Sequence, residues 1–439
     1  MDLDKTVLDI MAKAEFYRDE QLGLLKRLVS FDSGTGNVEG NRRVVEALEP
    51  VLLTMAPTVE RLESPGVGIH LITRVGKPGA GRKVLCLAHL DTVFGNGEAG
   101  DNPFRVEGDR AFGLGVVDCK AGVVVSLYGL KIALELGLIP DDLEITLIYN
   151  CDEETGSRTA RPIFEEESKE AQLAFVFEPS RDREVIIAHH RGLAYGYVEA
   201  VARTERACRE PRGASNAELA IDRITASLES HNDPSRGIYF HVLPAAGPEG
   251  GGEAGPGGWE AGREGEEGDG DGAWADDWED YGEGTVDGWS VYGDTGWDPD
   301  AYQEAEADFL ATFENDEGLG YVRRTIDKVA GSVWAPGCLV NASMRVSWPP
   351  EGKAGRAAGV VKKAGARLGL SLTEEKPRGL SDGYWCSLHG LSTVDSMGPS
   401  MHDIHTRREA LSLRTVKERT ELFALSIALL EGEFYQGPG

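Results

Sequence analysis

Metal-ligand residue types recur where short apolar runs of the sequence end. They are His89 and Asp91 after the run 84–88, Glu153 and Glu154 after 143–150, Glu178 after 174–177, and Asp118 in a turn before the apolar stretch 122–138. Open α/β sheets carry their sites at the edge formed by the carboxyl ends of the strands. We therefore expect one histidine and several carboxylates to meet at one edge of a sheet.

The residue types at this edge predict metal chemistry. A mixed set of imidazole and carboxylate ligands suits zinc, manganese or cobalt, whereas a thiolate-rich set would indicate structural zinc. Two metal ions about 3.5 to 4 Å apart need a shared ligand, and Asp118 is the candidate for that bridge. His89 and Asp91 share a strand face, so Asp91 can orient the imidazole. Glu153 and Glu154 are adjacent and point differently, so that one can bind metal while the other acts as a base.

Apolar patterning indicates how the unit that holds these residues is built. Strands are predicted at 69–75, 84–89, 143–150 and 174–177, and helices at 22–29, 40–55, 122–138, 353–368 and 413–430. Strands rich in Val, Ile and Leu that alternate with helices are typical of an α/β domain with a mostly parallel sheet.

A different pattern separates the two parts of this α/β unit. Strands are predicted at 193–202, 237–243 and 339–348, with helices at 214–228 and within 301–330. This order resembles a small α+β ferredoxin-like unit, β-α-β-β-α-β, whose middle strand is not located. We predict a discontinuous α/β domain, residues 1–192 and 351–439, interrupted by a smaller domain at 193–350.

The negative charge of the chain is concentrated in one segment. The 439 residues include 74 acids and 45 bases, a formal net charge of -29, and residues 247–317 alone contain 23 acids and the single base Arg263. A net negative surface repels phosphate backbones and anionic membranes. The composition therefore argues against nucleic acid and membrane as partners.

Residues 247–317 form an insertion that is rich in glycine and acid and carries five of the eight tryptophans. Few aliphatic residues are available there to offset the entropy of ordering, so we predict a largely disordered segment. Two other interpretations stay open. One is an acidic and aromatic surface that binds a partner, and the other is a calcium loop at 269–272, which lacks the EF-hand spacing and its terminal Glu.

Cysteine usage and the longest apolar stretch predict a cytoplasmic protein. Six cysteines without C-x-x-C spacing are too few for a disulfide scaffold, so we interpret them as reduced core residues. Cys119 and Cys151 adjoin candidate site residues, but no histidine stands near them in sequence to activate a nucleophile. The stretch 122–139 contains Lys131 and Glu135, which favours a buried helix over a membrane span. The first 21 residues do not resemble a signal peptide.

Ordered blocks of the sequence resemble one known family. The strings LCLAHLDTV, GLGVVDCKAG, IYNCDEETGS and VFEPS are similar to successive blocks of the di-zinc exopeptidase and deacylase family, which includes glutamate carboxypeptidase, acetylornithine deacetylase, succinyl-diaminopimelate desuccinylase and aminoacylase. The turn GLSDG at 379–383, and Gly398-Pro399 followed by His405 and Glu409, resemble its C-terminal blocks. The likeness spans nearly the whole chain outside 247–317.

The resemblance implies two zinc ions, with cobalt or manganese as alternatives. It implies that His89 and Glu178 hold one ion, that Glu154 and His405 hold the other, and that Asp118 bridges them. Glu153 would be the general base that takes the proton of the attacking water and delivers it to the leaving amine. His402 competes with His405 for its role, and the spacing to Glu409 favours His405.

Two departures from the family pattern concern the smaller domain. Aligning Pro211 and Asn216-Ala217 with the family puts Arg206 where relatives carry a histidine that reaches an active site, often that of the dimer partner. An arginine can bind an oxyanion or a carboxylate, but it cannot share the proton chemistry of an imidazole. The acidic insertion also replaces the usual Asn-Val-Val-Pro turn. Arg345 is the candidate clamp for a substrate carboxylate, with a surface arginine as the alternative.

Together these features predict a metal-dependent hydrolase that cuts an amide bond in a small substrate with a free carboxylate. Carboxypeptidase-like cleavage of a small peptide is favoured over deacylation of an N-acyl amino acid, because the blocks most resemble the glutamate carboxypeptidase branch. The smaller domain is expected to act as a lid and to support a homodimer. The rival from another class is a non-catalytic relative that binds a partner through its acidic insertion.

Overall fold

The structure is a computed structural model that describes residues 2–77, 79, 81–188, 192–203, 216–243, 279–281, 302–347, 355–375 and 381–433. Three predictions concern residues outside these ranges. They are the role of Arg206, the calcium loop at 269–272 and the binding surface formed by the tryptophans of the insertion. The described part of the chain forms two larger sheets and two smaller strand groups.

The sheet that carries the predicted site is mixed, with three parallel and two antiparallel pairs among its described strands. Its described strands lie in the order β1 (Glu60–Ser64), β2 (Gly68–Gly76), β6 (Leu143–Asn150), β3 (Arg82–His89), β7 (Leu173–Val176) and β15 (Ser392–Val394). The pairs on the β3 side are parallel, but β1–β2 and β2–β6 are antiparallel. The parallel arrangement expected from the sequence is thus found on the β3 side, whereas β1 and β2 form a hairpin, which only antiparallel strands can do.

Helices cover both faces of this mixed sheet. On one face a single apolar cluster includes residues of α1 (Leu3–Phe16), α2 (Arg18–Val29), α3 (Val38–Leu52), α5 (Gly122–Glu135), α9 (Arg356–Arg367) and α11 (Leu413–Glu433). On the other face, α6 (Arg161–Ser168) and α10 (Gly383–Leu388) contribute Phe164 and Trp385 to a second cluster. Helix α1 was not predicted from the sequence, whereas the other helices of the first face were.

Burial along β3 and α5 follows from this two-sided packing. Along β3, Cys86 belongs to the first cluster while Leu85 and Leu87 belong to the second, so that the strand is apolar on both faces. Helix α5 is buried as predicted, and no helix in the described part of the chain is long and apolar enough to cross a membrane. The five described cysteines are all buried and free, which confirms for these five that they are reduced core residues.

Two small strand groups bring distant segments together. In the first, β4 (Arg105–Glu107), β5 (Arg110–Phe112), β16 (Met401–His402) and β17 (Ala410–Ser412) lie in the order β16-β17-β5-β4. In the second, β8 (Val185–Ile187) pairs in parallel with β14 (Thr373–Glu375). The short helix α4 (Glu98–Asp101) precedes β4. The β5–β17 pair matters for the site because it places the C-terminal segment beside the turn that follows β5.

The second larger sheet is antiparallel. Its described strands lie in the order β10 (Tyr239–Leu243), β12 (Tyr302–Phe313), β9 (Gly192–Arg203), β13 (Cys338–Ser347) and β11 (Glu279–Tyr281). Helices α7 (Asn216–Ser230) and α8 (Asp316–Ala330) pack on it and share one apolar cluster with its strands. Strands β9, β10 and β13 and helix α7 lie where the sequence predicts them.

Strand β12 corrects one sequence prediction. The helix expected within 301–330 is present as α8, but the disorder predicted for 247–317 does not extend to 302–317. Alternate residues of the strand, including Phe309, Ala311 and Phe313, are buried against the helices, while acids occupy the alternate positions 306 and 308. This period-two pattern identifies a strand. Strand β12 was not predicted from the sequence because the surrounding segment is so acidic that it indicated disorder.

Candidate metal centre

Three parallel strands bring the predicted residues to one edge of the mixed sheet. His89 is the last residue of β3, Glu153 and Glu154 lie in a 3-10 turn shortly after β6, and Glu178 follows β7. Because β6, β3 and β7 are adjacent and parallel, their carboxyl ends meet. The structure thus brings these four residues together as the sequence predicts.

Asp118 reaches the same edge from the turn 116–121 between β5 and α5. Gly115 precedes this turn with φ of 68°, in the left-handed region that favours glycine. Gly122 follows it, and a Cβ atom at Gly122 would lie only 2.0 Å from the carbonyl oxygen of Phe177. The two glycines therefore let the Asp118 turn pass close to the end of β7.

Each oxygen of the Asp118 carboxylate faces a different histidine. Asp118 Oδ1 lies 3.2 Å from His89 Nε2, and Asp118 Oδ2 lies 3.0 Å from His405 Nε2. His405 comes from the loop between β16 and β17, where it adopts a φ of 59°. His402 lies exposed on β16. It is therefore His405 that the fold brings to Asp118, as the resemblance implies.

Each histidine also has its own glutamate. Glu178 Oε1 lies 3.7 Å from His89 Nε2, and Glu154 Oε2 lies 3.6 Å from His405 Nε2. In the described part of the chain, ligand atoms of His89, Asp118 and Glu154 all lie within 4.8 Å of one another. The result is two imidazole and glutamate pairs that share one carboxylate.

Asp91 supports both His89 and the turn that carries the two adjacent glutamates. Asp91 Oδ1 lies 3.3 Å from His89 Nδ1. The carboxylate also accepts the backbone N–H groups of Glu153 and Glu154, each at 3.2 Å, and the Thr35 hydroxyl at 2.6 Å. The contact with His89 follows from the two-residue spacing. The contacts with Thr35 and with the 153–154 backbone were not predicted, since they join segments that are remote in sequence.

Burial disfavours negative charge on the three glutamates of the site. It raises the pKa of Glu153, Glu154 and Glu178 well above the ordinary value for glutamate, and nearby carboxylates add to the effect while His89 opposes it. Ionised carboxylates that are this crowded and this far from water need positive charge beside them. The electrostatics of the site therefore favour a bound cation.

Asp118 and His89 respond differently, because they face each other. Burial opposes ionisation of Asp118, but the hydrogen bonds with His405 and His89 overcome it and hold the pKa of Asp118 below its ordinary value. Burial alone would lower the pKa of His89, and the charge of Glu178 is the main cause that raises it well above its ordinary value. Asp118 is thus more readily ionised than Glu153, Glu154 and Glu178.

Glu409 is held directly behind Asp118. It is fully buried, and its carboxylate accepts the backbone N–H groups of Gly115, Val117 and Asp118 at 3.0, 2.9 and 3.2 Å. Burial raises the pKa of Glu409 to about 7, while these N–H donors oppose the rise. Glu409 belongs to the family-like block that contains His405, but its contacts with the Asp118 turn were not predicted from the sequence.

Two further buried acids lie near the site without having been predicted. Ser157 donates a hydrogen bond to Asp382, whose pKa burial raises to about 7. Asp152, directly before Glu153, accepts the Thr159 N–H at 2.6 Å and the Thr159 hydroxyl at 2.8 Å. Asp382 belongs to the family-like turn at 379–383, which is the one sequence signal that could have identified it.

The two cysteines beside the site are buried thiols. Cys119 Sγ lies near His89 and Glu178, with all three ligand atoms within 4.8 Å of one another, and its thiol donates to the Phe177 carbonyl at 3.1 Å. Burial raises the pKa of both the Cys119 and the Cys151 thiol. This agrees with the prediction that neither residue is a nucleophile, because the thiolate is the reactive form.

Of the two predicted substrate-binding arginines, the structure describes only Arg345. Arg345 is half-buried on β13, opposite Tyr195 in the strand register. Arg206 lies outside the described residues. The roles of both residues remain predictions.

Comparison with known protein families shows which family the chain belongs to. The profile of peptidase family M20/M25/M40 matches residues 85–428, which is most of the sequence. The chain belongs to this family. The M20-family match begins just before His89 and extends beyond Glu409, so it contains all the candidate metal ligands as well as Asp91, Glu153 and Glu409.

Curated M20-family relatives match about half of the chain. Carboxypeptidase G2 of Pseudomonas sp. (strain RS-16) is 34% identical over 229 residues, which cover 51% of this chain and 55% of the relative. A putative LysW-lysine/LysW-ornithine hydrolase of Pyrococcus abyssi (strain GE5 / Orsay) is 28% identical over 234 residues, which cover 52% of this chain and 59% of the relative. The aligned segments thus span less than two thirds of either relative.

A solved structure extends the similarity to nearly the whole length. The di-peptidase Dug1p of Saccharomyces cerevisiae superposes with a TM-score of 0.58 at 13% identity, covering 96% of this chain and 98% of that one. At this level of identity the similarity concerns the fold.

Proposed function

We propose that this M20-family chain is a metal-dependent hydrolase that cleaves an amide bond in a small substrate with a free carboxylate, as a carboxypeptidase or dipeptidase does. The observation that carries the proposal is the position of Asp118 between His89 and His405. A carboxylate whose two oxygens face separate imidazoles is placed to be the ligand that two metal ions share. The similarity to carboxypeptidase G2 supports peptide-like substrates.

The proposed ligands divide into two sets that share one residue. His89 and Glu178 would hold one ion, Glu154 and His405 the other, and Asp118 both. Imidazole nitrogen with carboxylate oxygen suits zinc, with cobalt or manganese as alternatives. The raised pKa values of Glu154 and Glu178 support this fit, because a bound cation stabilises the carboxylate form. Bound divalent ions supply a lowered pKa for the attacking water and polarise the scissile carbonyl.

Glu153 is the proposed general base. Its neighbour Glu154 approaches His405, and the backbone N–H groups of both glutamates are held by Asp91. Its raised pKa suits a carboxyl group that must take a proton from water and return it to the leaving amine near neutral pH. Asp91 positions this turn as well as His89, and it is proposed to act through both.

The smaller unit is proposed to be a ferredoxin-like lid. We assign residues 1–192 and 351–439 to the catalytic domain and 193–350 to the lid, which carries the insertion. The element order β9-α7-β10-β12-α8-β13 and the antiparallel sheet support this division. Arg206 and Arg345 are proposed to contact the substrate carboxylate from the lid, and a homodimer is proposed to form through it.

Metal analysis combined with a substrate panel tests the proposed function. We expect about two zinc ions per chain, and turnover of dipeptides or N-acyl amino acids that is lost after chelation and restored by zinc or cobalt. Glu153→Gln is expected to keep both ions and to lose about 10²- to 10⁴-fold in kcat, the usual contribution of a general base. The matched control is Glu166→Gln, which alters an exposed glutamate on α6. Unchanged turnover in Glu153→Gln would reject the proposed mechanism.

The same panel separates the alternatives. Faster turnover of N-acyl amino acids than of dipeptides would identify a deacylase. Two bound ions with no turnover on any substrate would favour the non-catalytic alternative. Deleting residues 247–301 then tests whether the insertion binds a partner.

A further inference from the structure

We propose that Glu409 is a positioning residue that holds Asp118 in the geometry required to bridge two metal ions. The inference rests on the proposed function, because it concerns the same site. Glu409 would not touch metal or substrate, and its effect would pass entirely through the backbone of the Asp118 turn.

The contacts of Glu409 span the whole turn that presents Asp118. Its Oε2 accepts the Gly115 N–H, and its Oε1 accepts the N–H groups of Val117 and Asp118. One side chain thus satisfies three backbone donors within four residues. These N–H groups lie in buried residues, where an unsatisfied donor costs about 1–3 kcal/mol. The conformation of the turn therefore depends on this one carboxylate.

One short segment, residues 405–409, contacts both the backbone and the side chain of Asp118. Glu409 holds its backbone N–H, and His405, four residues earlier, lies 3.0 Å from its side-chain Oδ2. Backbone bonds close this segment and tie it to the turn, since Glu409 N–H donates to the Thr406 carbonyl and Gly113 N–H donates to the Glu409 carbonyl. The segment therefore sets the distance between Asp118 and the histidine that is proposed to share a metal ion with it.

The fold accounts for this arrangement. In the antiparallel β5–β17 pair, Ala410 is the register partner of Phe112, so that the residue before β17 lies beside the residue after β5. Glu409 precedes β17, and the Asp118 turn follows β5. A pairing between residues almost 300 positions apart thus delivers the carboxylate to the turn.

Replacement by glutamine should separate positioning from simple space filling. The Glu409→Gln variant would keep the size of the side chain, but its amide would offer one oxygen and an NH₂ group to three N–H donors, so that donors would face each other. Hydrogen-bonding partners behind a metal ligand typically contribute about 10- to 100-fold in metal affinity. We expect Glu409→Gln to reduce the affinity for one or both metal ions by about that factor.

The control is a second buried glutamate of the same chain. Glu421 on α11 is only 5% exposed, and its pKa is raised by burial, as that of Glu409 is, but its partner is Lys417. Glu421→Gln removes a buried acid without altering the Asp118 turn. It therefore tests whether the loss of a buried carboxylate outside the site also changes metal binding.

The experiment compares wild type, Glu409→Gln, Glu409→Asp and Glu421→Gln. Zinc and cobalt titrations of the chelated proteins give metal affinity, and the visible spectrum of the cobalt forms reports ligand geometry. Amide hydrogen exchange at residues 115–118 in metal-free protein reports how well the backbone hydrogen bonds to Glu409 protect the turn. We expect faster exchange, weaker binding and an altered cobalt spectrum in Glu409→Gln, partial recovery in Glu409→Asp, and wild-type behaviour in Glu421→Gln.

Three outcomes would contradict the inference, and they are distinguishable. Wild-type affinity and spectrum in Glu409→Gln, beside a wild type that binds metal, would overturn the positioning role alone. An equal loss of metal affinity in Glu421→Gln would show that the effect is not specific to the Asp118 turn. A wild type that takes up no metal would overturn the proposed function, and the inference with it.

Discussion

Acidic residues are used in opposite ways by the site edge of the mixed sheet and by strand β12 of the antiparallel sheet. At the site edge, Glu154 and Glu178 are largely buried, have raised pKa values and lie within 4 Å of a histidine nitrogen, without an arginine or lysine partner among the described ion pairs. On β12, Asp308 is also largely buried, but its Oδ2 lies 2.8 Å from Nη2 of Arg158. The site edge therefore holds an excess of negative charge that a metal ion can balance. The negative charge of Asp308 is already balanced by the arginine within the protein.

This difference separates a binding site from a structural contact. Burial alone does not distinguish the two regions, since carboxylates in both lose contact with water and have raised pKa values. The nature of the partner does. An arginine is permanently charged and forms a closed pair, whereas histidines are ligands that a divalent cation can share with carboxylates. Each prediction below removes one acid and asks whether metal binding or only stability responds.

The largest effect is expected for Asp118→Asn. An amide has one oxygen and no charge, so it cannot bridge two cations, and we expect loss of at least one bound metal ion. Activity should fall by at least about 10⁴-fold, as when one member of a catalytic unit is removed. Metal content by mass spectrometry and the kcat of the zinc-loaded protein check this. Retention of two tightly bound ions would mean that Asp118 is not the bridge.

A smaller effect is expected for Asp91→Asn, which alters a residue one step behind the ligands. The amide would lose one of the acceptors that hold Thr35 and the 153–154 backbone. We expect about a 10- to 100-fold loss of metal affinity, the usual range for such supporting partners. Competition titrations with a chelator measure it, with the exposed Asp142→Asn as control. If both variants keep wild-type affinity, Asp91 does not support the metal ligands.

Much of the site could be predicted from the sequence, because its residues follow strands. His89, Glu154 and Glu178 stand where apolar runs end, so the parallel order of β6, β3 and β7 is enough to bring them together. His405 has no such signal, since it lies in a loop with a positive φ, and only the resemblance to a family selected it. The support by Thr35 and by Glu409 depends on tertiary contacts that no local pattern encodes.

The fold was predicted less well where composition and periodicity disagreed. Strand β12 alternates apolar and acidic residues, but it adjoins a segment whose acidity suggested disorder. The antiparallel β2–β6 pair was missed for another reason. Apolar runs identify strands, but they do not give strand direction, which depends on the connections between elements.

A pH-dependent effect of intermediate size is expected at Glu421, a buried acid outside the site. Burial raises its pKa from 4.5 to about 7 in the folded protein. Between those values the folded state binds the proton more tightly than the unfolded state, so this group makes the free energy of unfolding fall as pH rises. Glu421→Gln removes that dependence.

We therefore expect Glu421→Gln to gain stability relative to wild type between pH 5 and 8, by roughly 1–3 kcal/mol given 1.36 kcal/mol per pKa unit. Urea unfolding of the chelated proteins at both pH values measures this difference. A difference that does not change with pH would show that Glu421 is not protonated in the folded state. Metal content should stay at the wild-type level, as expected for an acid outside the site.

The smallest effect is expected for Asp308→Asn, and it tests the comparison most directly. The Arg158–Asp308 pair is partly exposed, with 26% and 17% of the side chains accessible, so the pair should contribute about 1 kcal/mol to stability. A double-mutant cycle with Arg158→Gln isolates that coupling from the other contacts of each residue. Because Arg158 follows the Glu153–Thr155 turn closely, metal affinity measured on the same variants decides whether the pair also acts on the site. Unchanged metal affinity would show that the Arg158–Asp308 pair serves stability alone. A loss of metal affinity like that of Asp91→Asn would show that the antiparallel sheet also supports the metal centre.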